Sequence, residues 1–392
     1  MIKKYTYFFK LFGFFLLVSC DKEPVISKLQ ENFNLKVFGG SVTDNCYSII
    51  SDNDNQILTG SLDYQNGQDL FLIKTDKYGN EVDWSPKLFG SPLTDVGYAV
   101  TLDKDKNIIL AGYSSTVNGF TDAFVVKTTP NGDALWSKRF GGFKDEKIYS
   151  VLALPNIIFL AGYTESIDFD VKKRQGWLLA LSANGDSIWS QDFGTILVPD
   201  ELHEIIELKD SLLVMGSTQS LYGNYKQDVF LFILKKSTKG IENSVTLFRP
   251  GNEIGISAVE NNGDIFVLGY TQVSNTINNV VLWKLNKNLQ IIKEVQIESP
   301  ISETPASIKI NNGNLVIIGT ALNGPEDDDF LVYVLDNNLN KISRNCFGSS
   351  RSQQNQRGFS GTISGRSVII GGSTTTGNSS KACIFKTPEI LP

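Results

Sequence analysis

The sequence predicts an all-β fold: a seven-bladed β-propeller of four-stranded antiparallel blades spanning residues 32–387. Three observations carry it. A strand-like triplet ending in glycine recurs at Gly60, Gly112, Gly162, Gly216, Gly269, Gly319 and Gly372, at intervals of 50–54 residues. Each period holds four short runs rich in Val, Ile, Phe and Tyr, separated by turn residues, and none shows sustained helical periodicity. A second anchor, Phe-Gly, keeps the same phase at Phe38-Gly39, Phe89-Gly90, Phe140-Gly141, Phe193-Gly194 and Phe347-Gly348.

The second repeat shows the four strands in order, over residues 98–102, 107–113, 122–127 and 134–140. Tight turns join the third and fourth runs: Asp76-Lys77-Tyr78-Gly79-Asn80, Thr129-Pro130-Asn131-Gly132-Asp133 and Ser182-Ala183-Asn184-Gly185-Asp186. Asn or Gly there supplies the positive φ that a short hairpin demands. The last repeat provides only three runs, near 358–363, 367–373 and 381–387. Its missing fourth strand lies at the other end, where Phe33-Asn34-Leu35-Lys36-Val37-Phe38-Gly39 matches Trp84-Ser85-Pro86-Lys87-Leu88-Phe89-Gly90. The N-terminal strand therefore completes the last blade and closes the ring, leaving no open seam.

These motifs resemble the secreted bacterial β-propeller repeat proteins over residues 32–387. The likeness lies in the apolar-Gly strand, the Asp-x-Phe strand and the Asn-Gly turn followed by Trp84, Trp136 or Trp189. More distantly the repeat is similar to quinoprotein-type propellers, in which a Gly turn and a Trp lock adjacent blades. It departs from kelch, whose paired glycines occur only at Gly371-Gly372, and from WD40, whose Trp-Asp end is missing. Blades four to seven lack the turn-proximal Trp. The resemblance implies a fold, not an activity.

Residues 1–19 read as a secretory signal, with Lys3, Lys4 and Lys10 ahead of an apolar run too short for a permanent span. The run ends in Leu17-Val18-Ser19-Cys20, which resembles the lipobox of bacterial lipoproteins. That likeness implies lipidation of Cys20 and mooring by more than one acyl chain, which a single chain would not hold. Residues 20–31 then form a lipidated tether of about 40 Å when extended, and residues 388–392 a C-terminal tail. Export through the Sec pathway is expected, with the outer membrane or cell surface favoured over the inner membrane.

Composition bounds the chemistry. With 36 Lys+Arg against 42 Asp+Glu, nothing suggests a nucleic-acid partner. The chain has one histidine, so the usual base and metal ligand is scarce. No metal pattern and no cofactor motif is recognised. Cys46, Cys346 and Cys383 match no zinc spacing. They read as buried thiols, or with a Cys46–Cys346 bridge between neighbouring repeats.

Six blades carry an acid shortly before the innermost strand: Asp44, Asp95, Asp145, Asp200, Glu253 and Glu303. These form either a carboxylate ring at the channel mouth, able to hold a cation or sugar hydroxyls, or a repeated turn accepting backbone N–H groups. Recurrence in nearly every blade favours the turn. The long loops between second and third strands share that face. They carry Tyr64, Phe120, Tyr222 and Tyr225, suited to stacking on sugars or to plugging the rim, and the basic run Lys172-Lys173-Arg174. The acidic run Glu326-Asp327-Asp328-Asp329 reads as a solvated loop, and His203 as a satisfied inner-strand side chain. The expectation is a lipid-anchored, non-catalytic module that binds a glycan or an envelope protein on this rim. A scaffold in outer-membrane protein assembly is the alternative. An enzyme using paired carboxylates ranks third, since no sialidase Asp-box and no quinone-binding set occurs.

Overall fold

The computed structural model describes residues 35–39, 43–64, 67–166, 173–194, 197–219, 226–249, 251–274, 276–322, 328–348, 355–376 and 379–392. Among them lie seven four-stranded antiparallel sheets and no helix. Blade two is representative: Asp95–Leu102 is innermost, followed outward by Ile108–Ser115, Thr121–Thr128 and Ala134–Phe140. The other inner strands are Asn45–Asp52, Glu146–Leu154, Asp200–Glu207, Glu253–Asn261, Ser302–Asn311 and Gln356–Ser364. Closure is as expected. Leu35–Phe38 pairs with Ser379–Lys386 in the register Leu35↔Phe385 to Phe38↔Ala382, so the two chain ends share the seventh blade.

Seven hydrophobic clusters fill the seven junctions between blades. The cluster of Ile57, Leu70 and Leu72 with Val100, Leu110 and Phe124 lies between blades one and two, and the other junctions repeat the pattern. Second and third strands are covered on both faces, which is why they read as continuous apolar runs. Outer strands alternate, leaving Leu135, Ile188 and Ile342 about half exposed.

The recurring glycine has a specific cause. Every inner strand breaks register at the same place, between Cys46/Ser48, Gly97/Ala99, Ile148/Ser150, Leu202/Glu204, Gly255/Ser257, Pro305/Ser307 and Gly358/Ser360. One residue of each strand is thereby left out of the ladder, a β-bulge. The strand beside it must then carry Gly. A Cβ on Gly60, Gly112 or Gly162 would stand 1.9, 1.9 or 1.8 Å from the backbone oxygen of Asn45, Val96 or Lys147. Backbone oxygens cannot swing aside, so Gly162→Ala is expected to destabilise by about 1–3 kcal/mol through overpacking. An unchanged urea midpoint in that variant would show that the bulge does not set the glycine.

Hairpin glycines lock neighbouring blades. Gly132 and Gly185 adopt φ of 77° and 79°. Trp84 and Trp136 of the preceding blades pack against them, leaving no room for a Cβ, and Trp136 Nε1 donates to the Ala183 carbonyl at 3.2 Å. Where the tryptophan is absent, the hairpin changes too. Leu289 and Leu339 occupy the positive-φ position in blades five and six, both at 61°. Both are buried in the junction clusters, so a leucine fills the volume that the ring fills elsewhere.

Candidate functional site

The bulges aim their extra residues at the channel. Those residues are Tyr47, Tyr98, Tyr149, His203, Ile256, Ala306 and Phe359 in blades one to seven, all partly exposed. Five form a belt of touching rings: Phe359–Tyr47 at 5.3 Å between centroids, Tyr47–Tyr98 at 5.2 Å, Tyr98–Tyr149 at 5.4 Å and Tyr149–His203 edge-on at 5.9 Å. Blades five and six supply only Ile256 and Ala306. The belt is therefore broken on one side, and the mouth is asymmetric.

A second tier sits beside blades two to four. Tyr113 and Tyr163, each following the repeat glycine, lie 5.7 Å from Tyr98 and 6.0 Å from Tyr149. Lys147 Nζ stands 4.2 Å above the Tyr113 ring, and the Arg174 guanidinium 4.4 Å from the Tyr163 ring. Arg174 also ion-pairs with Glu165 at 3.1 Å and with Glu201. His203 Nδ1 lies 2.7 Å from the Gly255 carbonyl oxygen, which can only accept, so Nδ1 carries the proton. Nε2 is left facing Ser217 Oγ at 3.3 Å and Glu201 Oε2 at 3.6 Å.

Burial tends to raise the Glu201 pKa, but the neighbouring His203 and the hydrogen-bonded Arg174 guanidinium outweigh it and hold the carboxyl down to about 2. Burial lowers the Lys147 pKa, while Asp145, Glu201 and Glu165 oppose the shift. Burial raises the phenols of Tyr98, Tyr149 and Tyr163, which keeps them protonated as hydrogen-bond donors. One layer deeper, Glu204 accepts from Ser150 Oγ at 3.2 Å and Ser257 Oγ at 3.1 Å. The mouth therefore offers ring faces, hydroxyl donors, two cations and several carboxylates within one recess.

The expected rim acids lie elsewhere. Asp44, Asp95, Asp200, Glu253 and Glu303 are at most 2% exposed and present no carboxylate to solvent. Asp44 accepts Asp63 N–H at 2.8 Å, and Asp95 accepts Ser91 N–H at 2.7 Å, which is turn chemistry. In the third blade the equivalent residue is Glu146, not Asp145. Glu146 accepts Gly142 N–H at 2.9 Å, whereas half-buried Asp145 accepts the amide and hydroxyl of Thr121. Counting five residues on from Gly39, Gly90 and Gly141 reaches Asp44, Asp95 and Glu146, so the correct residue was marked in the sequence. These acids also require the Phe-Gly glycine. A Cβ on Gly90 would stand 2.3 Å from Asp95 Oδ2, and one on Gly194 2.1 Å from Asp200 Oδ2.

The basic run divides: Lys173 is exposed, Arg174 turns inward to the site, and Lys172 lies outside the described residues. Tyr222, Tyr225 and Cys20 also lie outside them, as does the side chain of Tyr64; Phe120 is 41% exposed on its loop. Cys46 and Cys383 are free, buried thiols, so the Cys46–Cys346 bridge is not formed. The belt tyrosines were overlooked, although each stands three residues after an inner-strand acid: Asp44/Tyr47, Asp95/Tyr98 and Glu146/Tyr149.

No family model and no curated protein matches the chain. Solved structures match in architecture. An ulvan lyase, a polysaccharide lyase, is 10% identical with a TM-score of 0.59 over 91% of this chain and 94% of its own. The hydrazine synthase of Kuenenia stuttgartiensis is 9% identical with a TM-score of 0.55 over 93% and 100%. The acylaminoacyl peptidase of Pyrococcus horikoshii is 11% identical with a TM-score of 0.50 over 87% of this chain, which spans about half (52%) of that protein's length. Such identities establish likeness of fold alone, so the resemblance to bacterial propeller repeats holds at the level of a β-propeller. They also correct the expectation that the chain is not an enzyme. Polysaccharide lyases and a peptidase stand among the structures sharing this fold. A missing Asp-box therefore does not argue against catalysis, and one oriented histidine sits at the mouth.

Proposed function

We propose that the chain is a lipid-anchored envelope propeller that holds a saccharide against the aromatic belt of its channel mouth. The observation that carries this reading is the run of rings from Phe359 to His203, edged by Lys147, Arg174 and Glu201. Aromatic faces stack on the C–H faces of sugar rings, and forked charged groups beside them bind hydroxyls and fix orientation. Lipidation of Cys20 would keep this mouth at an envelope surface, where polysaccharide is abundant. A fold shared with polysaccharide lyases is compatible with such a ligand.

Two variants of the whole detergent-solubilised chain test the site, with binding of defined oligosaccharides read by calorimetry. Tyr98→Ala removes the central ring of the belt and is expected to weaken binding about tenfold, the equivalent of one stacking contact. Arg174→Ala is expected to weaken it similarly, while exposed Lys341→Ala at the outer edge leaves it unchanged. Equal affinity in the Tyr98 variant and the parent would remove the site from the channel mouth.

A further inference from the structure

At every junction between blades the fold places two polar positions side by side. One starts a third strand, and the other starts the inner strand of the next blade. Three junctions bring two carboxyl groups together: Asp69 with Asp95, Asp122 with Glu146, and Asp228 with Glu253. Three others keep one carboxyl and replace its mate by an amide: Gln175 with Asp200, Asn279 with Glu303, and Asp329 with Gln356. The seventh, where the ring closes, has Lys381 and Asp44 at the two corresponding positions. A carboxamide has the shape of a carboxylic acid and likewise offers one donor and one acceptor toward its mate. The substitutions within this one chain therefore show that a neutral side chain can stand at one of the two positions.

Geometry at the acid–acid junctions agrees. A Cβ placed on Gly141 would stand 2.1 Å from Asp122 Oδ1 and 2.8 Å from Glu146 Oε2, so both oxygens crowd one point. Asp228 and Glu253 are 3% and 0% exposed. Glu253 Oε1 accepts from Thr271 Oγ1 at 2.9 Å, but its buried Oε2 has no hydrogen-bond partner. Two buried carboxylates left bare in this way would repel each other at low dielectric.

We propose that the Asp228–Glu253 junction holds a single proton between its two carboxyl groups, making a pH-sensitive clasp between blades four and five. The charged groups facing it are few. Lys226 bears on Asp228, and Arg249 bears on Glu253. Burial first, then the neighbouring Asp228 charge, raises the Glu253 pKa, and burial likewise raises Asp69, Asp95, Asp122 and Asp228. A raised folded-state pKa contributes stability that is complete below the ordinary carboxylate range and is lost as pH rises through the raised value.

Thermal unfolding of the whole chain between pH 5 and pH 9 tests this, comparing the parent with Asp228→Asn and Glu253→Gln, which copy the amide junctions. The variants are expected to melt with the parent at pH 5 and about 2–4 °C above it at pH 9. Variants that melt below the parent by the same margin at both pH values would overturn the proposal. So would calcium that raises the parent's Tm at pH 9, reversed by chelator and lost in the variants, since the pair would then hold a cation. Should neither variant fold, proton release on unfolding the parent in guanidinium at pH 7 decides. Release of at least one proton is expected, and no release overturns the proposal.

Discussion

Phe38→Ala is expected to lower unfolding free energy by about 3–5 kcal/mol, the usual range for losing a buried phenylalanine. Phe38 is 4% exposed and belongs to the cluster of Leu58, Leu62, Phe71, Ile369, Ala382 and Ile384, which joins blade seven to blade one. It is also the last residue of the closing strand, paired with Ala382. Truncating it opens a cavity at the one junction where the ring is held by side chains and by a strand from the other end of the chain. The urea midpoint should fall with an unchanged slope, because the surface exposed on unfolding stays the same. The neighbouring Val37 is 45% exposed, so Val37→Thr should change stability by less than about 0.5 kcal/mol. A Phe38→Ala protein as stable as the parent would mean that the seventh blade closes the ring without that core.

A loss of similar size, about 3–5 kcal/mol, is expected from Arg344→Met, because it strands a buried charge. Glu303 is 0% exposed. Its Oε1 accepts from Arg344 Nε at 3.0 Å and from an Arg344 terminal amine at 2.6 Å, while Oε2 accepts from the Tyr333 hydroxyl at 2.8 Å. Methionine fills much of the arginine volume but supplies neither charge nor donor, so the carboxylate keeps its desolvation cost without its partner. The double variant Glu303→Gln/Arg344→Met removes that charge and should recover most of the loss. It reproduces the neutral side chain that Gln356 already places at the equivalent position of blade seven. Denaturant titrations of the three proteins measure the recovery. If the double variant is no more stable than the single one, the cost lies in packing and not in charge.

Much of the candidate site was within reach of sequence reading, yet the emphasis fell on other residues. The repeated acids were visible because each stands shortly before an inner strand, and their turn role followed from recurrence in nearly every blade. Asp145 was chosen over Glu146 because two acids stand side by side and only the five-residue count separates them. Arg174 was noticed as part of a basic run, but nothing local shows that it turns toward Glu201, since that contact crosses from one blade to the next. The belt was missed for a related reason. Tyr47, Tyr98 and Tyr149 look like ordinary strand tyrosines until the bulge behind each one is known.

The linear pattern by itself determined the number of blades, the strands within each and the closing role of residues 35–38. Strand alternation, hairpin residues and a repeat near 50 residues are local signals, and each blade must stack on its neighbours to cover its apolar faces. Only the tertiary structure decided the mouth. Its five rings come from five blades and meet because register breaks turn one residue per inner strand toward a shared axis. Gly255, which orients His203, and Arg174, which helps hold Glu201 ionised, lie 52 and 27 residues away along the chain. Proximity of that kind arises from the circular packing of blades, which no short stretch of sequence encodes.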